Sequence, residues 1–182
     1  MIRVAISDRQ PAVRAGLDAT LRAQAGFSAV GSAAGARELL ALLYRTDPDV
    51  LVLDELRLAR RVKIESPRTR VVLYAASPTA ELVLAAAVAG VDGVVDKAAD
   101  TLELLGVLAS VAAGEPALPA VGPRQRARAA RRLDPRDRPI FAMRLAGTTP
   151  RDIAAVVGLG VAALNARIQA IVAQLAAAPL TA

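Results

Sequence analysis

Cysteine and histidine are both missing from the 182-residue chain. Without thiols there are no disulfides and no cysteine nucleophiles. Without imidazoles there is no Ser-His-Asp triad, and zinc loses the ligands on which its usual sites are built. Aromatic residues make up 2% of the sequence, so any core must be aliphatic. No uncharged stretch reaches the roughly 18 residues a membrane helix needs. The N-terminus also lacks the basic, apolar, small-residue order of a signal peptide. The expectation is a soluble, cytoplasmic protein with no membrane partner.

What is present in quantity is aliphatic. Hydrophobic residues reach 54%, enough for a buried core and far from the composition of a disordered chain. The length suits one large or two small domains, and the charge distribution argues for two. Residues 1–121 carry 13 basic and 14 acidic side chains, whereas residues 122–182 carry 10 arginines against 3 aspartates. A nearly neutral part is thus followed by one with a surplus of +7, the balance of a module that faces a polyanion. A solvated arginine-rich linker would give the same count.

Short apolar runs alternate with helical patterns through the first part. Runs at 4–7, 28–32, 50–53, 71–75 and 93–95 read as strands, and stretches at 11–24, 36–45, 56–64, 79–89 and 101–113 as helices. Strands that are apolar throughout are covered on both faces, so the pattern predicts a doubly wound α/β unit with a five-stranded parallel sheet. Gly114 closes the last of these helices. The proline- and arginine-rich segment 116–132 reads as a linker, because proline interrupts regular structure and arginine stays wet. Beyond it, Asp134, Pro135 and Asp137 open a helix that runs to Gly147, a short helix over 150–157 stops at Gly158, and a third spans Val161 to about Ala176. That order is the arrangement of a helix-turn-helix. The expected division is an α/β domain over 1–115, a linker over 116–132 and a small all-α helix-turn-helix domain over 133–182.

An open parallel sheet gathers ligands beyond the carboxyl ends of its strands. Asp8, Asp54 and Lys97 follow the first, third and fifth strands, and a strand order of 2-1-3-4-5 brings them together. A carboxylate leaving a buried strand needs a cation nearby or must take up a proton; Arg9 and Lys97 are the obvious suppliers. In the last helix Leu164, Ile168, Ile171 and Leu175 form a stripe to be buried. Ala162, Ala163, Asn165, Ala166, Gln169 and Ala173 are left for the outer face. Asn165 and Gln169 offer the donor–acceptor pair that suits adenine, and Arg151 and Arg167 can reach phosphates. No metal cluster, triad or phosphate loop is found, and the GLG at 158–160 lacks the preceding strand of a dinucleotide site. An enzyme is therefore not expected.

Four segments carry a family resemblance. VAISDRQPAVRAGL resembles the opening strand and helix of a two-component receiver, DPDVLVLDE the strand ending in its phosphoacceptor, and AGVDGVVDK the fifth strand with its lysine. LDPRDRPIFAMRLAGTTPRDIAAVVGLGVAALNARIQAIVAQL is similar to a LuxR-type effector domain without a gap. Together they resemble a response regulator of the NarL/FixJ type, with a flavodoxin-like receiver. The resemblance implies a phosphorylatable carboxylate at Asp54, a metal-holding carboxylate at Asp8 and a phosphate-pairing lysine at Lys97. It also implies DNA, a second copy of the chain, and a kinase or partner regulator as partners.

The departures matter equally. The second acid of the receiver pattern is Arg9, the hydroxyl at the end of the fourth strand is Ala75, and the aromatic switch position is Val94. The segment after Asp54 is shortened and lacks the usual Met-Pro and Asp-Gly. Magnesium wants hard oxygen ligands, so replacing an anion with a cation weakens its site. Arg9, forked and permanently charged, is expected to neutralise Asp8 and Asp54 in place of a metal; the alternative is an Arg9 that points into solvent. No cofactor is expected. The fourth helix that supports dimerisation in such effector domains is expected to be missing, since the sequence ends AAAPLTA. The expected function is DNA-binding transcriptional regulation without magnesium-dependent phosphorylation. The alternative is an interaction protein that heterodimerises with another regulator.

Overall fold

The computed structural model describes residues 1–177, which divide into two compact units. Met1–Pro78 with Val91–Leu118 form the first, and Thr79–Gly90 with the chain from Pro119 onward form the second. In chain order the elements are β1 (Ile2–Ser7), α1 (Pro11–Arg22), β2 (Phe27–Ala33), α2 (Ala36–Thr46), β3 (Val50–Leu53), α3 (Leu56–Glu65) and β4 (Arg70–Ala75). They continue with α4 (Ala80–Ala89), β5 (Gly93–Asp96), α5 (Thr101–Ala112), α6 (Pro123–Arg132), α7 (Arg138–Leu145), α8 (Pro150–Val157) and α9 (Val161–Ala176).

The five strands are parallel in the order β2-β1-β3-β4-β5, as the sequence pattern predicts. Side chains alternate across each strand, so successive residues feed different layers. Val4, Ile6, Val50, Val52, Val72 and Val95 form one core with Leu17 and Leu21 of α1 and Leu104, Leu108 and Val111 of α5. The intervening residues Ala5, Leu51, Leu53 and Leu73 are equally buried, as are Leu39, Leu42 and Leu43 of α2 and Ala59 and Val62 of α3. Where β2 pairs with β1 the register shifts between Val4 and Ala5, and Gly31 takes a φ of +145°. A Cβ there would lie 2.7 Å from Leu42 Cδ1, so only glycine lets this irregular strand and α2 approach.

In the second unit α4 packs chiefly along α9, and also against α7 and α6. It buries Val83, Leu84, Ala85, Ala86, Val88 and Ala89, which lie around nearly its whole circumference, as an interior helix requires. Thr79 caps it by accepting the Leu82 amide at 3.2 Å. On α9 the expected stripe Leu164, Ile168, Ile171 and Leu175 is buried, with Val172 added. Arg144 of α7 donates from Nε to the Val88 carbonyl at 3.0 Å and from Nη1 to the Thr148 carbonyl at 2.8 Å, tying the end of α4 to the α7–α8 turn.

The segment expected to be a linker, 116–132, is largely structured. Ala117 forms a parallel bridge to Gly93, and residues 123–132 are the helix α6. Pro123 occupies the first helical position, where a missing amide hydrogen costs nothing, and the Gln125 side chain accepts the Gly122 amide at 3.0 Å. The helix expected from Asp134 begins at Arg138 instead. Asp134 turns the chain, accepting the Arg136 amide at 2.8 Å on its side chain and the Asp137 amide at 2.8 Å on its carbonyl. A second departure is α4, which falls inside the expected 1–115 domain in sequence yet belongs to the second compact unit. Most of the AAAPLTA ending lies outside the described residues. Among the described residues no single helix is long and apolar enough to cross a membrane.

Truncating Ile6, fully buried near the carboxyl end of β1, to alanine is expected to cost about 2–5 kcal/mol, measured as a fall in the urea midpoint at unchanged m-value.

Candidate functional site

The carboxyl edge of the sheet gathers the charged residues singled out in the sequence. Asp8 leaves β1 and Asp54 leaves β3, and because Ser7 pairs with Leu53 the two carboxylates emerge side by side. The Asp54 amide donates to the Ser7 carbonyl at 3.0 Å. Asp8 is 2% exposed, so its charge must be met locally. Lys97, just after β5, supplies the cation, with Nζ 2.5 Å from Asp8 Oδ2. Gln10 donates its amide to the other oxygen, Oδ1, at 2.8 Å. Arg14 holds the loop from α1, donating to the carbonyls of Asp8 at 2.7 Å and Arg9 at 3.3 Å.

This corrects the expectation for Arg9. Its guanidinium does not neutralise Asp8, and it approaches Asp54 only loosely, with Nε 3.9 Å from Oδ2 and the side chain 76% exposed. It is the backbone of Arg9 that holds Asp54, through an amide 3.1 Å from Oδ2. The loop after β1 turns the Arg9 amide inward and its side chain outward. The flexible four-carbon stem of Lys97 reaches Asp8 from the end of β5, across the tips of β3 and β4. Asp8, Arg9, Asp54 and Lys97 are therefore together, but the buried pair is Lys97 with Asp8.

The residues present do not fit a divalent cation. An octahedral magnesium needs free oxygen donors. Both Asp8 oxygens are engaged by Lys97 and Gln10, and Asp54 Oδ2 by Arg9. Among the described residues no group of three or more acids converges in a metal-holding arrangement. Ala75 ends β4 opposite Asp96 with no hydroxyl, and Val94 is buried in β5. Ser77, two residues on, takes a φ of +47° and gives its amide, not its hydroxyl, to Asp96 Oδ1 at 3.2 Å.

Tyr74 is a member of this site that the sequence reading missed. Its ring centroid lies 5.6 Å from Lys97 Nζ, within cation–π range. Its hydroxyl lies 3.5 Å from the Lys97 carbonyl. Burial pushes the phenol pKa up from its ordinary value; the Lys97 ammonium opposes this, and Asp8 and Asp96 add to it. The available signal was an aromatic residue at the tip of a strand in a chain almost devoid of aromatics.

The second candidate surface is α8 and α9. Arg151 is exposed in the first turn of α8, whose cap, Thr149, accepts the Asp152 amide at 3.3 Å. Asn165 and Gln169 are half-buried. Arg167, expected to reach phosphates, is partly exposed and ion-paired, with Nη2 2.7 Å from Asp137 Oδ1 at the start of α7. Thirty residues separate the two in sequence, so only the packing of α7 on α9 could reveal the pair. The exposed residues of α9 are Val161, Gln174 and the alanines at 162, 163, 166, 170, 173 and 176.

Comparison with known proteins places this geometry. Residues 4–109 match the response regulator receiver domain. The chain is similar to the uncharacterized transcriptional regulatory protein YxjL of Bacillus subtilis, 32% identical over 123 residues, which cover 63% of this chain and 56% of that protein. It thus spans a little over half the length of that relative. It is also similar to a crystal structure of a LuxR-family two-component response regulator from Aurantimonas, 27% identical with a TM-score of 0.60, covering 64% of this chain and 88% of that one. RcsB, solved as two dimers bound to two parallel DNAs, covers 98% of this chain and 99% of its own at a TM-score of 0.64. At 18% identity it speaks to the fold alone.

Removing the ammonium in Lys97→Met leaves a buried carboxylate short of its partner. This is expected to cost about 1–3 kcal/mol in urea denaturation, most of which Asp8→Asn restores in the double variant. In a Tyr44→Phe background the remaining phenol is expected to ionise above the ordinary value of about 10, read from the phenolate absorbance. Its contribution to stability is full below the unfolded phenol's pKa and lost as pH rises through the folded one.

Proposed function

This chain belongs to the response regulator family in its LuxR-type form, and on that premise we propose that it is a DNA-binding transcriptional regulator whose receiver works without magnesium-dependent phosphorylation of Asp54. The observation that carries the reading is the Lys97–Asp8 pair. The buried carboxylate that would hold a metal is neutralised by the lysine that would otherwise meet a phosphoryl group. With Arg9 where a second acid would stand, the cluster of Asp8, Arg9, Asp54 and Lys97 is already charge-balanced, and adding a divalent ion would create an excess of positive charge. What sets the regulator's state on this reading is protein concentration, a partner regulator or a small ligand.

The partners on this reading are duplex DNA and a second copy of the chain; RcsB, of the same fold, was solved as dimers on DNA. The α8–α9 pair supplies the helix-turn-helix. Arg151 on α8 meets phosphate, and α9 offers Asn165 and Gln169 for adenine and alanine methyls for thymine. With Arg167 paired to Asp137, α9 brings few phosphate contacts of its own and its electrostatic affinity is modest. That pairing favours the second reading, a partner-binding protein that pairs with another regulator and leaves DNA to it.

Two measurements test these assignments. Beryllofluoride with magnesium is expected to leave the spectrum of fluorine in solution unchanged by ¹⁹F NMR, and a bound resonance that disappears in Asp54→Asn would refute phosphorylation independence. Labelled duplexes are expected to bind with strong salt dependence, and Asn165→Ala with Gln169→Ala to relax the preference at adenine positions by about 1–3 kcal/mol per pair. Absence of duplex binding, with co-elution on a second regulator, would favour the partner-binding reading.

A further inference from the structure

The most basic element of the protein is α6. Its sequence PRQRARAARR holds five arginines, and no acid occurs between Glu115 and Asp134. The packed side of the helix is Ala129, with Leu133 buried just past its end. Steps of four and three residues align Arg124, Arg128 and Arg131 on the other side, and all three are exposed. The stripe they form is about 10 Å long.

This helix is anchored at both ends. Arg126 donates from Nε to the Val121 carbonyl at 2.9 Å, closing the first turn onto the chain before it. At the other end the carbonyls that a helix terminus leaves open are taken by neighbouring elements. Gln174 of α9 donates to the Arg132 carbonyl at 2.8 Å, and Arg138 of α7 to the Arg131 carbonyl at 3.4 Å. Arg167 and Gln174 stand seven residues apart on α9, and they meet Asp137 and Arg132 respectively. The end of α6 and the start of α7 therefore lie along one side of α9, at a fixed distance from its alanine face.

We propose that the arginine stripe Arg124, Arg128 and Arg131 is a phosphate-binding surface that holds the backbone of duplex DNA, supplying the electrostatic share of binding that α9 lacks. The inference rests on the DNA-binding reading above and assigns that reading its main source of affinity. Guanidinium groups grip phosphate side-on through two parallel hydrogen bonds, and every cation of this helix is an arginine. A duplex presents about one negative charge per 1.7 Å of its axis, so a stripe of this length faces several phosphates. A membrane surface fits less well. An interfacial helix inserts bulky apolar side chains opposite its charges, and the only nonpolar residues in 123–132 are proline and alanine.

The test uses the full chain, a labelled duplex of arbitrary sequence and a salt titration. Arg124→Gln, Arg128→Gln and Arg131→Gln combined are expected to reduce the slope of log K against log salt by about 2.7, about 0.9 per arginine. Affinity near 0.1 M salt should fall by more than about tenfold. The three arginine-to-lysine substitutions are expected to keep the slope, and each single glutamine variant to remove about one third of the change, so misfolding of the triple variant cannot mimic the result. An unchanged slope in the glutamine variants, with wild-type duplex binding intact, overturns the α6 assignment and leaves the DNA-binding reading standing. Failure of the wild-type chain to bind duplex overturns both. Binding to phosphatidylserine vesicles without duplex binding gives the stripe to a membrane and overturns the proposal.

Discussion

A carboxylate 2% exposed at the end of the first strand, Asp8, is the constraint around which the sheet edge is arranged. Leaving it ionised without a partner would be prohibitive, and the chain meets its charge with the nearest flexible cation, Lys97, from the fifth strand. Tyr74 places its ring beside that ammonium, and the Gln10 amide takes the second oxygen. Because the pair is satisfied internally, Arg9 is released to the surface and Asp54 is held by a backbone amide. The carboxylates at this edge are thus met by the chain's own groups, Asp8 by the Lys97 ammonium and Asp54 by the Arg9 amide.

The second unit places its small side chains and its cluster of arginines on different helices. The exposed face of α9 is almost wholly alanine, suited to close approach but poor in hydrogen bonds, and its one arginine in this region is spent on Asp137. The cations stand on α6, whose last carbonyl is gripped by Gln174 of α9. Shape and charge thus reside on different helices held in register by side-chain-to-backbone bonds. On the DNA-binding function proposed above, sequence discrimination and electrostatic affinity become separable properties.

Much of this was legible in the sequence, for identifiable reasons. Continuous apolar runs mark buried parallel strands regardless of partners, and strand order then fixes which tips converge, so Asp8, Asp54 and Lys97 were found together. Side-chain direction was not legible. The adjacency of Arg9 to Asp8 fixes where its Cα lies but not which way the loop turns its guanidinium, and the loop turns it out. The α6 helix was hidden because proline and arginine read as breaker and solvated chain, whereas Pro123 falls at the one helical position that tolerates it and Gln125 closes the cap. The Arg167–Asp137 pair depends on tertiary packing across two intervening turns, which no local pattern encodes.

The membership of α4 has a topological consequence. The chain enters the second unit at Thr79, comes back at Val91 and leaves again after Leu118, so the two units are laced through each other's sequence and are not strung like beads. A cut near residue 118 would strand a ten-residue helix, apolar but for Glu81, without the α9 surface it covers. The other fragment would lose the lid of its own core. The C-terminal helices therefore keep their packing in another chain only if the segment between β4 and β5 travels with them.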